Sequence, residues 1–121
     1  MRPIEIKVHK KSAILELIYQ EHVFELSAEY LRVFSPSAEV QGHAPGQEVL
    51  LFGKRLVTFK DILPQGHYAI RISFSDGHDT GIYSWDYLHR LGEDEQANWQ
   101  DYLVRLSISG KSRDPQFIAL N

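Results

Sequence analysis

Cysteine is absent from this sequence, and that absence removes several chemistries at once. Disulfides, thiolate ligation of iron–sulfur clusters, cysteine-only zinc sites and thiol catalysis are all excluded. The absence fits a reducing compartment, and a cytoplasmic protein is the default expectation. Long apolar runs are missing too, since none approaches the roughly 20 residues that span a bilayer. The N-terminal Met1-Arg2-Pro3-Ile4-Glu5 has no apolar signal-peptide core. Strong positive charge is lacking: the formal net charge is -3, which argues against binding nucleic acid through its phosphates. The one basic cluster, Lys7, His9, Lys10 and Lys11, reads most simply as a solvated hairpin tip. Nucleotide motifs are absent as well. No glycine triplet has dinucleotide-binding spacing, Gly53-Lys54 lacks the upstream glycine of a phosphate loop, and no serine has the glycine-flanked setting of a hydrolase elbow.

What is present suffices for one domain. The chain has 121 residues, 43% of them hydrophobic, and a chain of this length buries roughly two thirds of its unfolded surface. Ile4, Ile6 and Val8 alternate with polar residues, the period of a half-buried strand. Strands over 13–19 and 22–26 complete an antiparallel meander. Ser27 is placed to cap a short helix over 28–34, which Ser35-Pro36-Ser37 stops. Residues 35–48 read as a long loop, a feature often functional in compact domains. Strands are expected at 49–52 and 57–63, with a turn at Pro64-Gln65-Gly66. Residues 68–74 then alternate most cleanly. Asp76-Gly77 signals a two-residue hairpin with a return strand over 78–83. That register sets Ile72 opposite Gly81, Ile70 opposite Tyr83 and Arg71 opposite Ile82, and it leaves His78 on the polar face beside Arg71, Ser73 and Thr80. Ser84 is placed to cap a helix over 85–91 ended by Gly92. A longer helix follows Glu93-Asp94-Glu95, with Trp99, Tyr102, Leu103 and Leu106 on one apolar face. The expected fold class is therefore α+β: mainly an antiparallel sheet or meander, a short helix after the third strand, and one or two C-terminal helices. Residues 1–110 form the domain, and 111–121 read as a polar, frayed tail.

Candidate chemistry is sparse. The six histidines include no pair three to five residues apart. None is followed two residues later by Asp or Glu, so the usual trace of a two-histidine, one-carboxylate iron site is missing. Histidines distant in sequence can still converge. The most unusual composition lies in Phe74-Ser75-Asp76-Gly77-His78-Asp79-Thr80-Gly81-Ile82-Tyr83-Ser84-Trp85, where two acids flank a histidine at a turn. A metal or partner contact and a merely wet hairpin both fit it.

This segment, with Tyr30-Leu31-Arg32, Gly66-His67-Tyr68-Ala69-Ile70-Arg71 and the run on to Ser84-Trp85-Asp86-Tyr87-Leu88, resembles the gamma-butyrobetaine hydroxylase-like N-terminal domain family. The similarity is to its small stand-alone bacterial members and extends from about Pro3 to Leu91. The resemblance implies a small β-rich domain with helices at its edge. In the namesake dioxygenases such a domain precedes a separate catalytic domain holding iron and 2-oxoglutarate. No such domain follows here, so the expectation is a non-enzymatic binding or interaction module with an unknown protein partner, either a monomer or a weak homodimer. In some plastid proteins a similar domain follows an ATPase of iron–sulfur assembly, which makes iron or cluster handling the alternative. The dioxygenase domains resemble zinc binders with three cysteines after the Leu-Arg and one later histidine. The matching positions here are Ser35, Ser37, Val40 and His78, and only the histidine is kept. A metal site, for zinc or iron, would have to recruit His43, Glu39 or Asp79 beside His78. The interaction surface is expected around Ser35, Ser37, Arg71, Asp76 and His78, and no resident cofactor is expected.

Overall fold

The computed structural model of the chain describes residues 1–116. The predicted meander forms the first sheet: β1 (Glu5–His9), β2 (Ile14–Ile18) and β3 (Val23–Ser27), antiparallel and in that order. Leu15, Leu17 and Leu26 are buried from one face, while Lys7, Glu16 and Glu25 are neighbours on the other. The second antiparallel sheet holds β4 (Phe59–Gln65), β5 (Ala69–Phe74) and β6 (Gly81–Ser84). Ile70, Ile72 and Phe74 of β5 face inward with Tyr83 of β6. Each such side chain contributes about 1.5–3 kcal/mol through burial. The register is the one expected, with Ile70 opposite Tyr83, Arg71 opposite Ile82 and Ile72 opposite Gly81.

Among the described residues four helices cover the sheets. Ser27 caps α1 (Ala28–Val33), its hydroxyl accepting from the Tyr30 N–H at 3.0 Å. The carbonyls at the end of α1 are claimed by tyrosines: the Tyr83 hydroxyl donates to Leu31 O, and the Tyr87 hydroxyl donates to Phe34 O at 2.7 Å. These bonds satisfy groups a helix terminus leaves orphaned, and they fix where the chain departs toward Ser35. A short α2 (Ala38–Gln41) follows. Ser84 caps α3 (Trp85–Glu93), and α4 (Glu95–Ile108) completes the set. The expected apolar face of α4 is core packing: Trp99, Tyr102, Leu103 and Leu106 pack with Val33, Leu50 and Leu51. No helix among the described residues is long and apolar enough to cross a membrane.

Several expectations need correction. The strand expected at 49–52 does not form, and the next begins at Phe59 rather than 57. The Leu50–Leu51 pair supplies contacts to α4 instead of sheet pairing, and the Tyr102 hydroxyl donates to Leu51 O at 2.7 Å. Pro64 lies within β4, opposite Ile70. It is tolerated because β4 is an edge strand and needs no outer donor there. Gly92 lies inside α3 rather than ending it. The two-residue hairpin at Asp76-Gly77 opens into a wider loop, since β6 starts only at Gly81. Finally, the segment read as a frayed tail is anchored at its start. Gly53 N donates to Ser112 O at 2.9 Å and Arg55 N to Arg113 O at 3.0 Å. Arg113 grips Glu29 with two bonds, of 2.8 and 2.6 Å. Residues 117–121 of that tail lie outside the described residues.

Candidate functional site

The β5–β6 loop takes its shape from Asp76. One carboxylate oxygen accepts from Arg32 Nε at 2.8 Å and from Lys54 Nζ at 2.7 Å, and the other accepts from the His78 backbone N–H at 3.1 Å. Asp76 thus fastens the loop to α1 and to the segment before β4, drawing it out of hairpin geometry. Burial alone would raise the Asp76 pKa. The bonds from Lys54, Arg32 and His78 outweigh it and hold the carboxyl at about 2. Neither Arg32 nor Lys54 was a candidate from sequence. The only signal was the position of Arg32 just before the central loop.

With the loop so fastened, His78 turns inward. Its side chain is 6% exposed, which corrects the expectation of a polar-face position beside Arg71. Nε2 lies 2.9 Å from Ser35 Oγ and 3.4 Å from Ser37 Oγ, and the two hydroxyls are 3.2 Å apart. Nδ1 lies 3.4 Å from Glu39 Oε2, which also accepts from the Thr80 hydroxyl at 2.9 Å. Ser35 is fully buried and Ser37 nearly so. Gly81 makes room for this packing, because an added Cβ would sit 2.9 Å from Ser35 Oγ. Ser35, Ser37, Glu39, Asp76 and His78 therefore lie together. Arg71 does not join them. It lies on the outer face with Lys60, Asp61 and Asp79, around a shallow cleft of about 250 Å³. His43 is exposed in the 42–48 segment. Among the described residues no three histidine or carboxylate groups come together as metal ligands.

The residues at these positions do not fit a zinc ion. His78 Nε2 is already engaged by two neutral hydroxyls, Val40 offers no donor atom, and Glu39 faces the opposite nitrogen of the ring. A tetrahedral zinc site needs three or four nitrogen, thiolate or carboxylate ligands on one ion. Hydrogen bonds tie the α1–α2 connection to the β5–β6 loop.

Burial, and after it the Arg32 charge, lowers the His78 pKa. A lowered imidazole pKa means that the folded state resists a proton the unfolded chain accepts. The stabilisation is complete above the unfolded value near 6.5 and is lost as pH falls below it. Urea midpoints should therefore be lower at pH 5.5 than at pH 7.5, and His78→Gln should shrink that difference. An undiminished difference would place the sensitivity elsewhere. Ser35→Ala should cost about 1–2 kcal/mol at pH 7.5, the value of a buried hydrogen bond whose partner is left short.

Comparison with known proteins follows the same outline. The model of the family described as "Gamma-butyrobetaine hydroxylase-like, N-terminal" matches residues 6–89. Two proteins with NMR solution structures are 48% and 42% identical to the chain. They superpose with TM-scores of 0.85 and 0.79, each match covering 99% of this chain and 95% and 91% of theirs. A crystal structure from Acidithiobacillus ferrooxidans ATCC 23270, of a DUF971-family protein with unknown function, is 37% identical with a TM-score of 0.62, covering 75% of this chain and 92% of that one. No curated protein matches the chain. With the family match spanning Ile6 through His89, and so both sheets and the Ser35–His78 tie, this chain belongs to the gamma-butyrobetaine hydroxylase-like N-terminal domain family.

Proposed function

We propose that the domain is a non-enzymatic interaction module. Its recognition face is α2 with the 42–48 segment, together with the β5–β6 loop. One observation carries this reading. Glu39 of α2 contacts both His78 and Thr80 of the loop, so two segments far apart in sequence form one continuous surface. Beneath that surface the Ser35–Ser37–His78 tie and the Arg32–Asp76–Lys54 network hold the backbone. Exposed groups above them start from fixed positions, which lowers the ordering cost of binding. Glu39 is 62% exposed along its side chain and Asp79 is exposed, so both carboxylates are open to a partner with a basic patch.

Ser35, His78 and Glu39 follow the order of a serine–histidine–carboxylate triad. Ser35 has no exposed surface, so a substrate carbonyl has no approach to its Oγ, which supports a non-enzymatic role. The family resemblance also points to iron or iron–sulfur handling, but the filled coordination of His78 gives that alternative no ligand set at this site. The test is affinity capture with wild-type domain and with Glu39→Lys/Asp79→Lys, after confirming equal melting of the two. A partner enriched by the wild type and lost from the variant supports the face. A partner retained equally by both places recognition elsewhere.

A further inference from the structure

Among the described residues the two sheets have four edge strands, and three of them are guarded against pairing with another chain. β3 lies against α3, where Phe24 packs over Gly92. β4 carries Pro64 and a register shift between Phe59 and Asp61. β6 has only four residues. Short strands, proline, irregular register and a covering helix all protect an edge. β1 has none of these among the described residues. It pairs with β2 on one side, and only Ile6 of its five residues is partly buried. Ile6 lies opposite Leu17 and Val8 opposite Leu15, so both share the face of those buried leucines. Ile4 shares that face by alternation and is 71% exposed. Beneath the edge is a cleft of about 210 Å³, whose apolar lining is Pro3, Ile4, Ile6, Pro64, Ile70 and Trp85. Glu5 and Lys7 lie on the opposite face of β1. Glu16, opposite Lys7, is engaged by His9 at 2.8 Å. Among the described residues neither Glu5 nor Lys7 forms an ion pair.

A lysine on an edge strand ordinarily repels a second strand. In β1 it has the opposite effect, because Glu5 stands two residues away on the same face. When a second copy of β1 is set antiparallel beside the first, with a two-fold axis at Ile6, the pairing is self-complementary. Ile6 faces Ile6 of the second copy, Ile4 faces its Val8, and Glu5 faces its Lys7. By symmetry the apolar and the charged pair each form twice. An axis at Lys7 would oppose two lysines, and an axis at Glu5 would oppose two glutamates. An axis between residues would set apolar side chains against charged ones. We propose that the chain forms a homodimer through its β1 edges, antiparallel about Ile6, which joins the two first sheets into one of six strands. On the inner face, Ile6 and Val8 of the second copy then stand at the border of the apolar cleft. Five residues a side fall below the standard interface of roughly 1,600 Å², so the dimer is weak and forms with rising concentration. The β1 edge shares no residue with the recognition face, so either reading can fail without the other.

The experiment is sedimentation equilibrium of the untagged full chain up to about 1 mM. The average mass should rise from monomer toward dimer, and less steeply at high salt, which screens exposed charge pairs. Glu5→Lys and Lys7→Glu each turn two attractions into two repulsions, and each should weaken association roughly 10–100-fold. Both residues are exposed, and equal melting of the variants checks that the fold is intact. An effect of net charge alone would move these two variants in opposite directions. Glu5→Lys/Lys7→Glu exchanges the signs and should restore association to the wild-type level. A chain that stays monomeric at about 1 mM would overturn the proposal. So would single variants that associate as the wild type does, which would place the contact elsewhere, or a double variant no better than the singles.

Discussion

Asp76→Ala is expected to lower the free energy of unfolding by about 3–5 kcal/mol, the cost of leaving a buried charge without its partner. The Arg32 side chain is 9% exposed and Lys54 21% exposed, and Arg32 Nη1 is already buried without a partner among the described residues. Removing Asp76 takes away the counter-charge of both cations and the acceptor for the His78 N–H. For a domain whose total stability falls in the usual range of about 5–15 kcal/mol, this is a large fraction. Acid should reproduce part of the effect. The folded carboxyl titrates at about 2 against an ordinary 3.8. Its contribution is full above pH 4 and is lost as pH falls toward 2, a change of about 2 kcal/mol. The mutation costs more than protonation because a protonated carboxyl still offers an acceptor and alanine offers none. Urea unfolding monitored by circular dichroism measures both effects. A loss below about 1 kcal/mol on truncation would mean that water reaches Arg32 freely and that the network is a surface pairing.

Arg113→Ala should rank second, at about 2–4 kcal/mol. Glu29 is the buried partner here, with its side chain 6% exposed against 29% for Arg113. The two bonds are charge-assisted and bidentate, the strong form of this interaction. The guanidinium also lies 5.1 Å over the Trp99 ring, so tryptophan fluorescence should report its loss directly. Glu29→Gln/Arg113→Ala should recover much of the stability, because the cost lies in the unpaired buried carboxylate rather than in the missing bonds. By contrast, Asp101→Ala breaks an exposed helical pair with Arg105 and should cost only about 0.3–0.5 kcal/mol. If truncation after Gly110 leaves stability and fluorescence unchanged, the 111–116 segment is not a structural part of the domain.

Elements whose causes are local were legible before any fold was known. The Ser27 and Ser84 caps each act within three residues of the helix they start. The alternation over 68–74 encodes one buried and one open face of β5, and the spacing of Asp76-Gly77 between two strand patterns carried the correct register even though the turn itself is wider. The errors share a different origin. The turn opened because Asp76 has distant cations to bind, and the 49–52 segment gave up strand pairing because α4 takes its leucines. His78 was expected on an open face and is buried by two serines that lie more than forty positions earlier.

Taken alone, the sequence determined the α+β class, the meander, the helix starts and the absence of thiol chemistry, because periodicity, capping and composition act over a few neighbouring residues. Tertiary structure alone decided that Ser35, Ser37 and His78 close into a hydrogen-bonded tie and that Arg113 anchors the chain to α1. Each of those contacts joins segments whose separation carries no periodic signal, and each exists only once burial has removed the water that would otherwise satisfy the same groups.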